Sequence, residues 1–448
     1  MKKTIQIILF IFCISVSVVA QQKQVTKWSK GVSTSFIHCK IKGEVIDRPE
    51  SNQLILLKKG EDARVAGKYI TIQNGKFEYE LDCNNPEAYE LIFFDELNNS
   101  KSITFFAESG TVYFKLYPMN RFKENVIIRV PESTTFVNLK TKKKLGNILE
   151  KGGLNGQWTR YNTLKDSLFN VAAGVKERAR LKAENLFYTD TAKILLKKRE
   201  SAKNDDHLSD SLRVLLNNLQ KSGNILTPAA MALEKQELEM YNQFKKWQSQ
   251  YIRRHVSIVS YSLLFDKTSQ ALRYFNDEVS ECIDIFNSIY AKKYPNHPYT
   301  ELIKAFASIK VGGRYIDFTA PDFKGKPMKL SEQIQGKVAL IDLWASWCGP
   351  CRKQAKSMIP VYEAYKNKGF TIVGVAREEN IANGVNAAQK DKYPWLNLIE
   401  LKDKGKIWEK YGVGNSGGGT FLVDKDGIIL AKDPTDEEVK TFLEKLLK

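Results

Sequence analysis

Cysteine and histidine are scarce in this sequence, which holds six cysteines and four histidines among 448 residues. So few cysteines exclude a small fold held together by many disulfides. The histidines are scattered and all precede residue 311: they are His38, His207, His255 and His297. Because zinc would need further ligands close to Cys348 and Cys351, we expect this pair to bind no metal, and we predict no cofactor.

Long hydrophobic runs are also missing, except at the N-terminus. Lys2 and Lys3 precede the apolar stretch Ile5–Val19, which is short for a membrane span. The small residue Ala20 before Gln21 fits a signal-peptidase cut. We therefore predict a secretory signal at residues 1–20, cleaved near Ala20, and a mature protein of the periplasm or cell envelope with no stable membrane insertion. An uncleaved anchor is the alternative.

Acidic residues are fewer than basic ones, with 51 Asp and Glu against 69 Lys and Arg, which gives a net charge of +18. The basic residues are spread along the chain, and Lys142, Lys143 and Lys144 form the one notable run. In an exported protein this pattern indicates a solvated surface with weak attraction to anionic envelope polymers. We expect no nucleic-acid partner.

The chain is too long for one ordinary core, and its patterns change twice. Short alternating runs, with an Asn74-Gly75 hairpin signal, predict an all-β, sandwich-like domain at residues 21–131. Apolar stripes at helical spacing predict a helical segment at residues 132–310. Alternating strands and helices, closed by a Thr435–Glu438 capping box, predict an α/β domain at residues 311–448. The predicted fold class is therefore multidomain.

The chemistry centres on Trp347-Cys348-Gly349-Pro350-Cys351, at the junction of a predicted strand and a helix running towards Tyr365. A helix N-terminus favours negative charge and lowers the pKa of a thiol placed there. Proline suits the first turn, where its missing N–H costs nothing. The two-residue spacer lets one cysteine attack a disulfide and the other reach back to release the product.

The run from Ala339 to Cys351 resembles the active-site strand and helix of thioredoxins. Asp317–Phe323, followed by Leu330-Ser331, is similar to the start of the exported TlpA/ResA-like thiol–disulfide oxidoreductases. The resemblance covers about 138 residues, from Val311 to Lys448, and implies a thioredoxin-like fold. More weakly, the β domain resembles an uncharacterised domain that often precedes this module in envelope proteins of Gram-negative bacteria.

The resemblance assigns roles to individual residues. It implies that Cys348 attacks and Cys351 resolves. From these roles we predict that Cys348 is solvent-accessible and reacts with alkylating agents faster than Cys351. It also implies a buried aspartate six positions before the first cysteine, which is Asp342. The residue itself agrees, because a carboxylate within an apolar strand has a raised pKa and can accept a proton from Cys351. Local hydrogen bonding of Asp342 is the alternative.

Substrate contacts are expected from Trp347, Gly349, Pro350, Gly418 and Gly419. Trp347 either shields the sulfurs of Cys348 and Cys351 or has a plain packing role. Gly418 stands where thioredoxins carry a cis-proline, and we expect a looser, trans loop facing Cys348. If that loop accepts the cis form, Gly418→Pro should tighten substrate binding.

Other positions carry weaker signals. Gln354 occupies a position where many exported relatives carry glutamate, so no acid–base role is assigned to it. Cys39 and Cys83 either pair or are core residues, and Cys282 is expected to be buried and inert.

The predicted function is an exported dithiol–disulfide oxidoreductase that reduces disulfides in envelope proteins and serves cell redox homeostasis. Its partners are protein or small-thiol disulfides and an unidentified upstream electron donor. A thioredoxin-fold peroxidase is an alternative, although Ala345 and Ile341 stand where that class carries threonine and proline. A ligand- or partner-binding envelope protein with an accessory redox domain is another.

Overall fold

The computed structural model of the chain describes residues 36–99, 101–130, 153–169, 171–202, 205–273, 278–415 and 417–447. The predicted signal at residues 1–20, with its cleavage near Ala20, lies outside the described residues, as does the lysine run at 142–144. The described chain is strand-rich first, then helical, and then mixed α/β, as predicted.

Eight strands form the first region: β1 Ile37–Val45, β2 Gln53–Lys58, β3 Lys68–Thr71, β4 Lys76–Cys83, β5 Ala88–Phe93, β6 Ile103–Phe106, β7 Gly110–Leu116 and β8 Val126–Val130. A short helix, α1 (Ala63–Ala66), precedes β3. The strands form two four-stranded sheets, in the orders β4-β1-β7-β8 and β3-β2-β5-β6. One hydrophobic core contains residues of both sheets, including Ile41, Leu54 and Phe105.

Local chemistry explains the turns and faces of this region. Asn74 and Gly75 both have positive φ, 51° and 69°, as a tight two-residue turn requires, and Gln73 pairs with Lys76 across the turn. The turn leads from β3 into β4, but these strands belong to different sheets, so the predicted hairpin is limited to the turn itself. Along β1, buried and half-buried residues alternate, because one face of the strand lies on the core. Cys39 is buried and Cys83 half-buried, and both carry thiols rather than a shared disulfide.

Nine helices follow in the described part of the helical region: α2 Gly153–Leu168, α3 Val171–Ala183, α4 Asp190–Ser201, α5 Asp206–Lys221, α6 Pro228–Arg254, α7 Ile258–Arg273, α8 Glu278–Ile285, α9 Ala291–Lys293 and α10 Pro298–Ser308. A π-helical turn, Phe286–Tyr290, joins α8 to α9. Cys282 is buried and carries a thiol, in a core that continues from this region into the last one.

The last region contains β9 Thr319–Pro321, β10 Pro327–Lys329, α11 Leu330–Ile334, β11 Val338–Trp344, α12 Gly349–Tyr365, β12 Phe370–Glu378, α13 Ile381–Asp391, β13 Leu396–Leu401, α14 Ile407–Lys410, β14 Gly419–Val423, β15 Ile429–Lys432 and α15 Asp436–Leu446. Its main sheet has the order β13-β12-β11-β14-β15, with β14 antiparallel to the central β11. Every residue of β11 is buried. The predicted capping box of Thr435 and Glu438 opens α15.

Within the described ranges, no helix combines the length and apolar character that crossing a bilayer requires. The same residues contain no cluster of histidine, cysteine and carboxylate side chains suited to hold a metal ion.

Candidate active site

Cys348 and Cys351 form a disulfide at the start of α12, where strand β11 has ended. Cys348 is the N-cap residue of the helix, and its sulfur accepts a hydrogen bond from the N–H of Cys351 at 3.3 Å. Pro350 lies in the first turn, where no N–H is needed. The local sequence therefore places both sulfurs at the positive end of a 17-residue helix.

The two sulfurs differ in exposure, but in the opposite sense to the sequence prediction. Cys348 is only 4% exposed, whereas Cys351 is half-buried. The expectation of an open Cys348 is therefore wrong for the disulfide form. The physical reason is that Cys348 joins the main hydrophobic cluster and lies beside Gly417 of the loop that leads into β14.

That loop lies against the disulfide as predicted. The N–H of Gly418 donates to the sulfur of Cys351 at 3.1 Å. The Gly417–Gly418 bond is trans, since the described residues contain no cis peptide bond. A Cβ at Gly418 would lie 1.9 Å from the carbonyl oxygen of Leu343, so this close approach of two backbones requires glycine.

Asp342 lies in the middle of β11 and is 4% exposed. It lies on the same face of β11 as Leu340 and Trp344; Leu340 packs against residues of α12, and Trp344 shares a cluster with Cys351. The carboxyl group therefore faces the helix that carries the disulfide. Burial raises the pKa of Asp342 to about 7, which puts its proton exchange in the neutral range.

Gln354 has a structural contact in place of an acid–base partner. Its amide nitrogen donates to the hydroxyl of Thr420 at 3.2 Å and to the carbonyl of Pro434 at 3.1 Å. Thr420 is the β14 residue opposite Asp342 in the sheet register. Gln354 thus ties α12 to the strand beside Asp342.

The comparison with protein families matches the last region. A family described as AhpC/TSA matches residues 311–432. The thiol–disulfide oxidoreductase ResA of Bacillus thuringiensis (strain Al Hakam) is 32% identical over 147 residues, which are 31% of this chain and 79% of that protein. The chain belongs to the thioredoxin-like thiol–disulfide oxidoreductases.

Other members of this family give similar matches. The thiol:disulfide interchange protein DsbE of Allochromatium vinosum is 29% identical, over 28% of this chain and 67% of that protein. Among solved structures, the thioredoxin domain of a thiol–disulfide oxidoreductase from Bacteroides vulgatus is 30% identical, with a TM-score of 0.29, and covers 32% of this chain and all of that one.

For a thiol–disulfide oxidoreductase, the arrangement supplies three things. The helix N-terminus stabilises a thiolate at Cys348. The Gly418 N–H supplies a donor to the second sulfur. The buried carboxyl of Asp342 supplies a group that exchanges a proton near neutral pH on the helix-facing side of β11.

Sequence reasoning missed Glu378, the last residue of β12. Its buried carboxylate accepts hydrogen bonds from the N–H of Ser346 and, at 2.9 Å, from the hydroxyl of Ser346. Burial raises the pKa of Glu378. Ser346 lies two residues before Cys348, so Glu378 fixes the turn that carries the disulfide. No local signal indicates this contact, because the partners are 32 residues apart.

Glu378→Ala is expected to destabilise the oxidoreductase by about 1–3 kcal/mol, because it leaves the Ser346 N–H without its buried acceptor. Urea unfolding of the oxidised protein measures the change. Glu378→Gln retains one acceptor oxygen and should lose less stability. Equal losses in the two variants would contradict the hydrogen-bonding role of Glu378.

Proposed function

We propose that the protein is an exported thiol–disulfide oxidoreductase that reduces disulfides in proteins of the cell envelope. Cys348 attacks, Cys351 resolves and Asp342 accepts the proton of Cys351. The observation that carries the proposal is the Cys348–Cys351 disulfide at the N-terminus of α12, in contact with the N–H of Gly418. No group beyond the two cysteines is needed to carry the electrons.

The proposed reaction starts from the reduced dithiol. The Cys348 thiolate attacks one sulfur of the substrate disulfide, so that a mixed disulfide forms and the other substrate sulfur leaves as a thiolate. Cys351 then gives its proton to the Asp342 carboxylate and attacks the sulfur of Cys348. The second substrate thiolate leaves, the substrate has gained two electrons, and the enzyme holds the Cys348–Cys351 disulfide. An upstream dithiol donor must return these electrons.

The proposed organisation follows the three regions. It comprises a signal at residues 1–20, a β domain at 21–131, a helical segment at 132–310 and the redox domain at 311–448. Trp347, Gly349, Pro350, Gly418 and Gly419 form the proposed substrate contacts. Trp347 is half-buried next to the disulfide, and the backbone of Gly418 lies on Cys351, which supports contact with a substrate at this edge of the sheet.

Trapping with insulin as the disulfide substrate tests the assigned roles. Reduced Cys351→Ser should accumulate a mixed disulfide between insulin and Cys348, because the attacking thiol remains and the resolving thiol is absent. The matched variant Cys348→Ser should accumulate little. Mass spectrometry after digestion identifies the linked cysteine.

The reverse pattern, with capture by Cys351 alone, would contradict the assigned order of attack. Capture by neither variant would contradict disulfide reduction itself. Faster oxidation of the reduced wild type by hydrogen peroxide than by insulin would favour the peroxidase alternative.

A further inference from the structure

The loop that covers the disulfide is rich in glycine. This glycine loop, defined as residues 412–415 and 417–419, contains Gly412, Gly414, Gly417, Gly418 and Gly419. Glycine loses more conformational entropy on ordering than any other residue. The loop must nevertheless place the Gly418 N–H on the Cys351 sulfur. Its order therefore has to come from contacts outside the loop.

The β region makes the first of these contacts, through the segment just after β2. The side-chain amide of Asn415 donates to the carbonyl oxygen of Glu61 at 3.0 Å. The guanidinium of Arg64 donates to the carbonyl oxygen of Asn415. The same guanidinium stacks 3.4 Å from the ring centre of Trp347, the neighbour of Cys348. Arg64 thus joins the two loops that flank the disulfide.

A buried cluster of charged side chains reinforces the contact between Arg64 and Asn415. Arg377 at the end of β12 donates to the side-chain oxygen of Asn415 at 2.8 Å. Arg377 also pairs with Asp403 of its own region, and lies 3.6 Å from Asp62 of the β region. Arg377 and Asp62 are each 3% exposed. Such a pair is costly to separate, so the two regions stay docked at this point.

The helical region contacts the loop at its beginning. The space next to Gly412 is filled by Leu272, and the space next to Gly414 by Arg273, both at the end of α7. An added Cβ would lie 2.3 Å from Leu272 Cδ2 at the first position and 2.2 Å from Arg273 Nη2 at the second. The loop is therefore packed between the β region and the helical region.

We propose that the glycine loop is held in its substrate-binding position from outside, by the two regions that precede the redox domain, and that Arg64, Asn415 and Arg273 are positioning residues for the active site. The ligand they prepare the loop to receive is the extended main chain of a polypeptide beside its disulfide. This inference rests on the proposed function, since it assigns the two regions a part in that reaction. Small disulfides without a peptide chain do not need the loop.

Hydrogen exchange of the oxidised protein tests whether contacts from the other two regions hold the glycine loop in place, and the test needs no enzymatic turnover. In Arg64→Ala, amides of the peptide spanning residues 412–419 should exchange about five- to tenfold faster, the change that the loss of one or two ordinary hydrogen bonds gives. Arg273→Ala tests the opposite side of the loop in the same way. Unchanged exchange in both variants would overturn the inference, whether or not the protein reduces disulfides.

Steady-state kinetics with two substrates test the consequence for binding. With insulin, both variants should raise KM by about five- to tenfold and leave kcat within about twofold of wild type. With 5,5′-dithiobis(2-nitrobenzoate), which has no peptide chain, both should match the wild type. An equal loss on the two substrates, or no change in KM for insulin, would overturn the positioning role.

Arg121→Ala is the matched control. Arg121 belongs to the same β region, has a side chain of similar exposure (37% against 41% for Arg64), and stacks on the ring of Tyr117 far along the chain from the loop contacts. It should change neither exchange at residues 412–419 nor KM. A wild type that reduces neither substrate would contradict the proposed function. Faster exchange at residues 412–419 in Arg64→Ala would, even then, support the inference that the other regions hold the loop.

Discussion

Gly418→Ala is expected to lower kcat/KM for insulin reduction by about ten- to a hundredfold, and to destabilise the protein by roughly 1–3 kcal/mol, as overpacking of a tight contact does. The new Cβ would lie 1.9 Å from the carbonyl oxygen of Leu343 and 2.9 Å from the sulfur of Cys351. The Leu343 oxygen belongs to a paired, buried strand and has no room to move aside. The loop must therefore shift, and the Gly418 N–H leaves the sulfur.

Gly417→Ala is the matched control for this experiment. A Cβ at Gly417 would meet only the sulfur of Cys348, at 4.0 Å, which is ordinary van der Waals contact. Rates of insulin reduction and the urea midpoints of unfolding should distinguish the two neighbouring variants. Equal behaviour of Gly417→Ala and Gly418→Ala would contradict the close approach described for Gly418.

The same geometry reverses the sequence-based expectation for Gly418→Pro. Proline has no N–H, so the hydrogen bond to the Cys351 sulfur is lost. Its ring also occupies the space where an added Cβ meets Leu343. In this trans loop we therefore expect the substitution to weaken substrate reduction instead of tightening binding.

Asp342→Asn is expected to slow the resolving step by about a hundredfold or more at pH 8, the usual range for loss of a general base. The pKa of Asp342 is raised by burial to about 7. In the wild type, resolution should therefore accelerate as pH rises through 7, where the carboxyl loses its proton and can accept that of Cys351. The variant should show no such rise. Decay of the Cys348 mixed disulfide, followed by rapid quenching at several pH values, measures this step.

The same substitution should change how stability depends on pH. Between the ordinary pKa of 3.8 and the folded-state pKa of about 7, the folded protein keeps a proton that the unfolded chain has lost. The free energy of unfolding contributed by this group is therefore fully present below pH 3.8 and falls as pH rises through 7. At pH 8 the oxidised Asp342→Asn protein should be more stable than the wild type, by up to roughly 4 kcal/mol.

Glu400→Gln separates the catalytic part of this prediction from the electrostatic part. Burial also raises the pKa of Glu400 to about 7, but its carboxylate accepts from the N–H of Ile407 and the N–H of Trp408. Its substitution should alter the pH dependence of stability and leave the pH profile of resolution unchanged. A resolution profile altered equally by Glu400→Gln and Asp342→Asn would rule out a specific proton acceptor.

The features that the sequence predicted well depend on local chemistry. Asn74-Gly75 makes a tight turn because of its own backbone preferences, and Thr435 caps a helix through a residue three positions later. Cys348 and Cys351 likewise come together through the helix that they begin. Even the burial of Asp342 follows from the apolar strand around it.

The features that the sequence did not predict depend on distant partners. Glu378 and Arg64 look like ordinary charged residues, and their roles appear only when Ser346 and Asn415 are brought beside them. The burial of Cys348 depends on the loop around Gly417 in the same way. The helical spacing of apolar residues in the segment 132–310 also gave no sign that the helix changes at Phe286 to a π-helical turn.

The contact between Arg64 and Asn415 also has a consequence for the order of folding. The two residues are 351 positions apart, so their contact joins segments that are distant in the sequence. Chains fold from the N-terminus as they are made, and distant contacts form late. The β region can therefore be complete long before residue 415 exists. A chain that ends before that residue contains both redox cysteines but not the loop that covers them. Its two thiols are therefore exposed to solvent.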